Sequence, residues 1–130
     1  MAKFKLKVMV VDDEIEARQT LAQILAEEGY DVIQASTGQE VLARAKSEWP
    51  ALIVLDIVLP DLPGTEVLEK LRADPITKVI PVLLVTAKPD VVRQQIPNYS
   101  EKLDRYVEKQ GRIDNLVRTV HEMLSGKRVL

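Results

Sequence analysis

The sequence predicts an α/β fold in which a parallel sheet of five strands lies between layers of helices. Short apolar runs of strand length alternate five times with stretches whose apolar residues recur at helical spacing. In addition, the third and fourth runs, Leu52–Leu55 and Ile80–Val85, are apolar throughout. Such runs are typical of strands that helices cover on both faces, so the pattern favours a parallel sheet.

The first half of the chain contains two predicted strands, each followed by a helix. The strands are Leu6–Val11 and Tyr30–Ile33. Gly29 is placed to end the first helix, and Thr37 with Glu40 forms a capping box that opens the second. The apolar faces of these helices consist of Ile15, Leu21, Ala22 and Leu25, and of Val41, Leu42, Ala45 and Trp49. Because Trp49 ends the second helix, we expect it to pack over the core as a lid.

The second half continues the alternation, with one irregular stretch. The fourth strand ends at Thr86, and the fifth is a short one at Tyr106-Val107. Between them the pattern is least regular from 88 to 102, where two prolines, Pro89 and Pro97, allow only a short helix. The apolar faces of the third and last helices consist of Val67, Leu68 and Leu71, and of Ile113, Leu116, Val117, Val120 and Leu124.

Right-handed crossovers restrict this alternation to few topologies, among them the flavodoxin-like (βα)5 three-layer sandwich with strand order 2-1-3-4-5. The 130 residues fit one domain, residues 1–130, with its core at about 5–124. The chain has no cysteine, which excludes disulfides and thiolate metal sites. Its net charge of -2 gives no general attraction to nucleic acid or anionic membrane, and no segment has the length of a membrane span. We therefore expect a soluble cytoplasmic protein that binds neither nucleic acid nor membrane.

Polar side chains stand where the predicted parallel strands end. In the 2-1-3-4-5 order, ligands bind at the carboxyl edge of the sheet, between the first and third strands. Asp12 and Asp13 follow the first strand, and Asp56 interrupts the apolar run of the third. Because an unpaired buried carboxylate is costly, we expect Asp56 at the end of its strand, in a polar cleft. Thr86 and Lys109 follow the fourth and fifth strands and complete the set.

This combination of side chains favours phosphoryl chemistry. Three neighbouring carboxylates repel one another unless a cation lies between them, and a hard, oxygen-seeking ion such as Mg²⁺ suits them. Asp56 could then attack a phosphoryl group as nucleophile, while Lys109 and the metal neutralise its oxygens and Thr86 donates a hydrogen bond. No Walker loop or glycine-rich fingerprint is present, so nucleotide binding has no sequence support.

These residues stand in motifs that resemble the receiver domain of bacterial two-component response regulators, the CheY-like family. The motifs are Val10–Glu14, Asp56–Pro60 with Gly64, Val85–Ala87 and Tyr106–Lys109. The resemblance implies a signalling phosphoacceptor rather than an enzyme. Its phosphoryl group would come from a sensor histidine kinase or a histidine phosphotransfer protein, and a downstream protein target would respond to it.

The resemblance also implies residue roles. Asp56 would accept the phosphoryl group, and Mg²⁺ would be held by Asp12, Asp13, Asp56 and the backbone carbonyl of Val58. Lys109 would pair with the phosphoryl group. Thr86 and Tyr106 match the family's switch pair, in which the hydroxyl turns toward the phosphate and the ring moves inward.

Three features depart from the family pattern. Gln110 follows Lys109 where the family usually has proline after a cis peptide, so we expect a trans peptide and a reshaped loop. Leu59 replaces a frequent methionine, which conserves volume. The segment after Thr86 lacks the common Gly-Ala turn, and the helix expected there borders the face that the family uses for partners and dimers. A homodimer and the output mechanism are therefore left open.

Other interpretations remain at this point. The acids after the first strand could simply favour a helix dipole, Thr86 could cap a helix, Lys109 could be a surface lysine, and Tyr106 could be a half-buried strand residue. The whole chain could be a phosphorylation-independent adaptor, or one receiver piece of a longer regulator. A phosphohydrolase using Asp56 is disfavoured, because the apolar Val58 stands where a second acid would be needed. His121 has no partner for a metal site, so we interpret it as structural or exposed.

Overall fold

Five strands alternate with helices in the computed structural model, which describes residues 4–88, 96 and 99–126. The strands are β1 (Lys7–Val11), β2 (Asp31–Ala35), β3 (Leu52–Asp56), β4 (Val82–Thr86) and β5 (Arg105–Glu108). The helices within the described residues are α1 (Ile15–Glu27), α2 (Gly38–Glu48), α3 (Gly64–Ala73) and α4 (Ile113–Leu124). The strands pair in parallel in the order β2-β1-β3-β4-β5, so the predicted fold is confirmed.

Alternate residues of the central strands supply two separate cores, one on each face of the sheet. Val8 and Val10 of β1 pack with residues of α1 and α4, whereas Met9 and Val11 pack with residues of α2 and α3. Burying a large aliphatic side chain contributes about 1.5–3 kcal/mol, so these two layers hold β1 and β3 firmly. The carboxyl ends of both strands are therefore fixed positions in the fold.

The residues predicted to end α1 and to open α2 have these roles in the structure, but the Glu40 side chain binds a different amide from the one expected. Gly29 has φ 99°, the left-handed conformation expected just after α1. The Thr37 hydroxyl accepts a hydrogen bond from the amide of Glu40 at 3.1 Å. The Glu40 carboxylate, however, accepts from the amide of Ser36 at 2.9 Å, so the reciprocal half of the capping box reaches one residue further upstream.

The prediction that Trp49 covers the core is wrong. Trp49 follows the last turn of α2 with φ 46°, and its side chain is 56% exposed. Its indole N–H donates to the carbonyl of Ile76 at 2.7 Å. Pro50 disfavours the right-handed helical conformation at the residue before it, and the left-handed backbone turns the indole away from the apolar face of α2.

The predicted burial of two helix residues is revised by the structure, and one predicted helix lies outside the described residues. Ile15 and Ile113 were placed on apolar helix faces, but both are about half exposed, because each begins its helix beside the loops at the carboxyl edge of the sheet. The short helix predicted between Pro89 and Pro97 lies outside the described residues, apart from Ile96, which is buried.

His121 has a structural role, in line with its interpretation from the sequence. Its Nδ1 lies 2.5 Å from the Tyr30 hydroxyl and its Nε2 lies 3.0 Å from a carboxylate oxygen of Glu28. These contacts join the last turn of α4 to the turn between α1 and β2. They help to fix α4 against α1.

Candidate functional site

Asp56 is the last residue of β3 and is only 2% exposed. One carboxylate oxygen, Oδ2, lies 2.6 Å from Lys109 Nζ, and the other, Oδ1, accepts from the amide of Val58 at 3.0 Å. A buried carboxylate is tolerated when it is paired and hydrogen-bonded, as it is here. The expected position at the end of the strand is therefore found.

Asp12 and Asp13 bring two more carboxylates to the same place. One oxygen from each of Asp12, Asp13 and Asp56 lies within 4.8 Å of the others. Burial raises the pKa of Asp12, and the charge of Asp56 raises it further, while a hydrogen bond from the amide of Glu14 opposes both. Three carboxylates beside a single paired lysine form an oxygen donor set that fits a hard divalent cation. In the described part of the chain, this is the only such group of three or more acidic, histidine or cysteine side chains.

Lys109 is held at the end of β5 with its ammonium toward Asp56. Its backbone amide donates to the carbonyl of Thr86 at 2.7 Å, which ties the ends of β4 and β5 together. The hydrogen bond to Asp56 raises the pKa of Lys109, and the nearby charges of Asp56 and Asp12 add to this. The Lys109–Gln110 peptide is trans, as expected without proline, since no described residue has a cis peptide bond.

Thr86 ends β4 and is buried beside the cleft. Its hydroxyl oxygen accepts from the amide of Lys88 at 3.0 Å, so the side chain closes a turn. That bond uses a lone pair of the oxygen and leaves the hydroxyl proton available to a ligand in the cleft. The structural and the functional interpretations of Thr86 are therefore compatible.

Asp56 and Lys109 line two neighbouring cavities. The first, about 340 Å³, is lined by Asp12, Glu14 and Arg18 and reaches the first turn of α4. The second, about 450 Å³, is lined by Val58, Thr65, Thr86 and Lys88. A group attached to Asp56 would thus have access both to the cavity lined by Asp12 and to the cavity lined by Thr65 and Thr86.

Tyr106 is not brought into this site. It lies in β5, half-buried against the core on the α2 and α3 face, and lines neither of the two cavities. Its ring packs against Tyr99, with ring centroids 6.0 Å apart. Any effect of Tyr106 on the cleft therefore has to come through movement of its ring.

A family model described as the response regulator receiver domain matches residues 8–121, which is most of the chain. This chain belongs to the response regulator receiver domain family. The receiver domain is the phosphoacceptor module of two-component signalling, and the order of motifs identified in the sequence is explained by this membership.

Individual relatives agree with the family model. The chain is 37% identical over 117 residues to the "Probable transcriptional regulatory protein TcrX" of Mycobacterium tuberculosis. The aligned region covers 90% of this receiver domain and 49% of that protein. The chain spans about half of the length of this and of several other curated regulators that it matches.

Solved structures support the same fold. A CheY-like receiver domain protein from Methanospirillum hungatei superposes with a TM-score of 0.82 at 28% identity, covering 95% of this chain and 96% of that one. The response regulator TrrA from Thermotoga maritima, crystallised with Mg²⁺ and BeF, gives a TM-score of 0.79 at 31% identity, covering 92% and 99%. These likenesses do not favour the adaptor or the phosphohydrolase interpretation. No helix in the described residues has the length and apolar character needed to cross a membrane.

Two residues of the receiver domain that the sequence did not single out hold backbone segments beside the cleft. Arg18 in α1 donates through its guanidinium to the carbonyl of Asp12 at 2.9 Å and to the side-chain oxygen of Gln34 at 3.1 Å. Asp61 accepts hydrogen bonds from the amides of Gly38 and Gln39. Arg18 stands one helical turn after Glu14, but its side chain contacts Asp12 and Gln34 instead, and nothing in the local sequence around Asp61 indicates its distant partners.

The loop from 57 to 64, which follows Asp56, is closed tightly at its base. The amide of Gly64 donates to the carbonyl of Ile57 at 2.6 Å. A Cβ atom at Gly64 would lie 2.6 Å from Ile57 Cα and 2.8 Å from the carbonyl oxygen of Asp56. Because both neighbours are backbone atoms, only glycine lets α3 begin this close to Asp56.

Gly64→Ala is expected to lower the free energy of unfolding by roughly 1–3 kcal/mol, because the added methyl group overlaps fixed backbone. Urea unfolding followed by circular dichroism measures the change. Gly126→Ala is the matched control, since a Cβ there meets no atom within 4 Å and the backbone φ is not positive. Equal stability of the Gly64→Ala and wild-type proteins would contradict the tight closure of this loop.

Proposed function

We propose that Asp56 is the phosphoacceptor of a single receiver domain, with Lys109 and Thr86 as its catalytic partners and Mg²⁺ as its cofactor. The observation that carries this proposal is the buried Asp56 carboxylate, paired with Lys109 at 2.6 Å, with two further carboxylates within 4.8 Å. The metal ligands would be side chains of Asp12, Asp13 and Asp56 together with the carbonyl of Val58. When bound, Mg²⁺ would supply charge neutralisation for the phosphoryl oxygens.

The chain's own residues account for the rest of the transfer. Asp56 is held rigidly by β3, and its carboxylate oxygen attacks the phosphorus of the donor; the donor's P–N bond breaks, and its electrons stay with the imidazole. Lys109 remains an ammonium and can move from Asp56 to a phosphoryl oxygen, because its stem is flexible. Thr86 donates its free hydroxyl proton to another phosphoryl oxygen. The carboxylate and the phosphoryl group are then joined as an acyl phosphate.

In this proposal Thr86 and Tyr106 act as the switch pair that the family resemblance implies. Thr86 accepts from the Lys88 amide and still has its hydroxyl proton to donate, so a phosphoryl group on Asp56 would draw the side chain toward the cleft. Rotation of the Thr86 side chain toward that group would leave space beside the neighbouring strand β5, and Tyr106 is the aromatic side chain of β5 that packs on the α2 and α3 face. Tyr99 moves with it, because the two rings are in contact.

Partners follow from the acceptor chemistry. A sensor histidine kinase or a histidine phosphotransfer protein supplies the phosphoryl group, and a downstream protein target binds the switched surface. The chain thus acts as a signalling phosphoacceptor, without turnover of a separate substrate. The lack of cysteine fits the reducing cytoplasm as the compartment in which this exchange takes place.

Phosphodonor labelling tests the proposal directly. Wild-type protein incubated with Mg²⁺ and a small phosphodonor is expected to gain the mass of one phosphoryl group, and chelation of Mg²⁺ should prevent this gain. Titration with beryllium fluoride and Mg²⁺ should also shift the amide resonances of Thr86 and Tyr106, while sedimentation reports any dimer. Absence of both the label and the spectral change would reject the assignment of Asp56 as an acceptor.

A further inference from the structure

The loop that carries Val58 is attached to the start of α2 by the side chain of Asp61. One carboxylate oxygen accepts from the amide of Gly38 at 2.7 Å, and the other accepts from the amide of Gln39 at 2.9 Å. These are the first two residues of α2, whose amides have no partner within the helix. A residue more than twenty positions away in the sequence thus caps α2 with both of its oxygens, and its pKa is lowered by these two hydrogen bonds.

Packing beside this contact leaves little freedom. A Cβ atom at Gly38 would lie 2.9 Å from Val67 of α3 and 3.0 Å from Cβ of Leu62, the residue after Asp61. The first turn of α2 is therefore in close contact with both the loop and α3. The loop is fixed at its base by Gly64, and Asp61 fixes it again near its far end.

Val58 lies between Ile57, whose carbonyl accepts from the Gly64 amide, and Asp61. Its amide donates to Asp56, while its side chain is 69% exposed and contributes little packing to hold it. The position of the Val58 backbone consequently depends on the attachments of the loop on either side. Thr37 already accepts from the amide of Glu40 at 3.1 Å, so α2 has a cap of its own, and the contact with Asp61 also serves to restrain the loop.

We infer that Asp61 is a positioning residue for the metal and phosphoryl site: by binding the first amides of α2, it holds the 57–64 loop and so keeps the Val58 backbone beside Asp56. The metal part of this inference rests on the proposed function, whereas the restraint of the loop is a property of the metal-free protein. Hydrogen exchange measures the restraint of the loop, and Mg²⁺ titration measures its effect on the metal site.

Asp61→Ala removes both acceptors, and Thr37→Ala is the matched control, because it removes the other cap of the same helix without touching the loop. In metal-free protein, hydrogen exchange of the Val58 amide is expected to accelerate in Asp61→Ala and to stay at the wild-type rate in Thr37→Ala. In Mg²⁺ titrations by calorimetry, the dissociation constant should rise about 10-fold or more in Asp61→Ala, as for other residues that support metal ligands, and should be unchanged in Thr37→Ala.

Asp61→Asn distinguishes attachment from charge. It removes the negative charge but keeps one acceptor oxygen, so its Mg²⁺ affinity should fall between those of wild type and Asp61→Ala. An affinity for Asp61→Asn as low as that of Asp61→Ala would assign the effect to charge and overturn the inference. Equal effects of Asp61→Ala and Thr37→Ala would also overturn it. If the wild-type protein bound no Mg²⁺, the metal role would fail with the proposed function, and the exchange rates alone would decide whether Asp61 restrains the loop.

Discussion

Replacing Asp56 with asparagine is expected to reduce phosphodonor labelling to background. Asparagine has nearly the same shape, so β3 and its packing should persist, but the amide lacks the carboxylate nucleophile. It also removes the charged partner that lies 2.6 Å from Lys109 and one of the three acids that lie within 4.8 Å of one another. Mass spectrometry of the intact protein after incubation with Mg²⁺ and phosphodonor measures the label.

Asp74→Asn is the matched control for this experiment. Asp74 is also a hydrogen-bonded aspartate, in contact with Lys46 at 2.8 Å, but it follows α3 and lies away from the carboxyl edge of the sheet. Its variant should label like wild type. Thermal unfolding of both variants shows that they are folded, and labelling of Asp56→Asn at the wild-type level would remove Asp56 from the centre of the mechanism.

Arg72→Ala is expected to cause the largest loss of stability, about 3–5 kcal/mol in the free energy of unfolding. The Arg72 guanidinium is hydrogen-bonded to the carboxylate of Asp104, which is completely buried, and also donates to the carbonyl of Ile80 at 2.8 Å. Asp104 additionally accepts from the amides of Val82 and Ser100, each at 3.0 Å. Removing the arginine would leave a buried carboxylate without its counter-charge, at the point where β4 and β5 begin.

The neighbouring Arg105–Glu122 pair provides the comparison. Its two side chains are about half exposed and lie 3.0 Å apart, so Arg105→Ala should cost at most about 1 kcal/mol. Urea unfolding of the two alanine variants measures both values. If Arg72→Ala lowered the free energy of unfolding no more than Arg105→Ala does, the buried pair would contribute no more to stability than the surface pair.

The sequence predicted the parts of this molecule that depend on local periodicity. Strand and helix patterns repeat every few residues, so they indicated the alternation of strands and helices. Right-handed crossovers then left few strand orders, among them the observed one, which places Asp12, Asp56 and Lys109 at one edge. The contact of Asp61 with α2 and that of Arg72 with Asp104 join residues 22 to 32 positions apart and follow no repeating pattern. The prediction for Trp49 was wrong for another reason. A single residue with a left-handed backbone conformation was enough to redirect the side chain, and helical periodicity does not reveal such a residue.

That orientation of Trp49 gives the protein a built-in optical probe. It is the only tryptophan in the chain, so its emission can be assigned without labelling or substitution. It ends α2, a helix of 11 residues that spans about 16 Å from the turn bound by Asp61. A ligand at Asp56 cannot quench this indole by contact. Fluorescence changes on ligand binding would therefore report movement of α2 relative to the segment after α3 that holds the indole through Ile76, at the edge of the sheet opposite the acidic cluster.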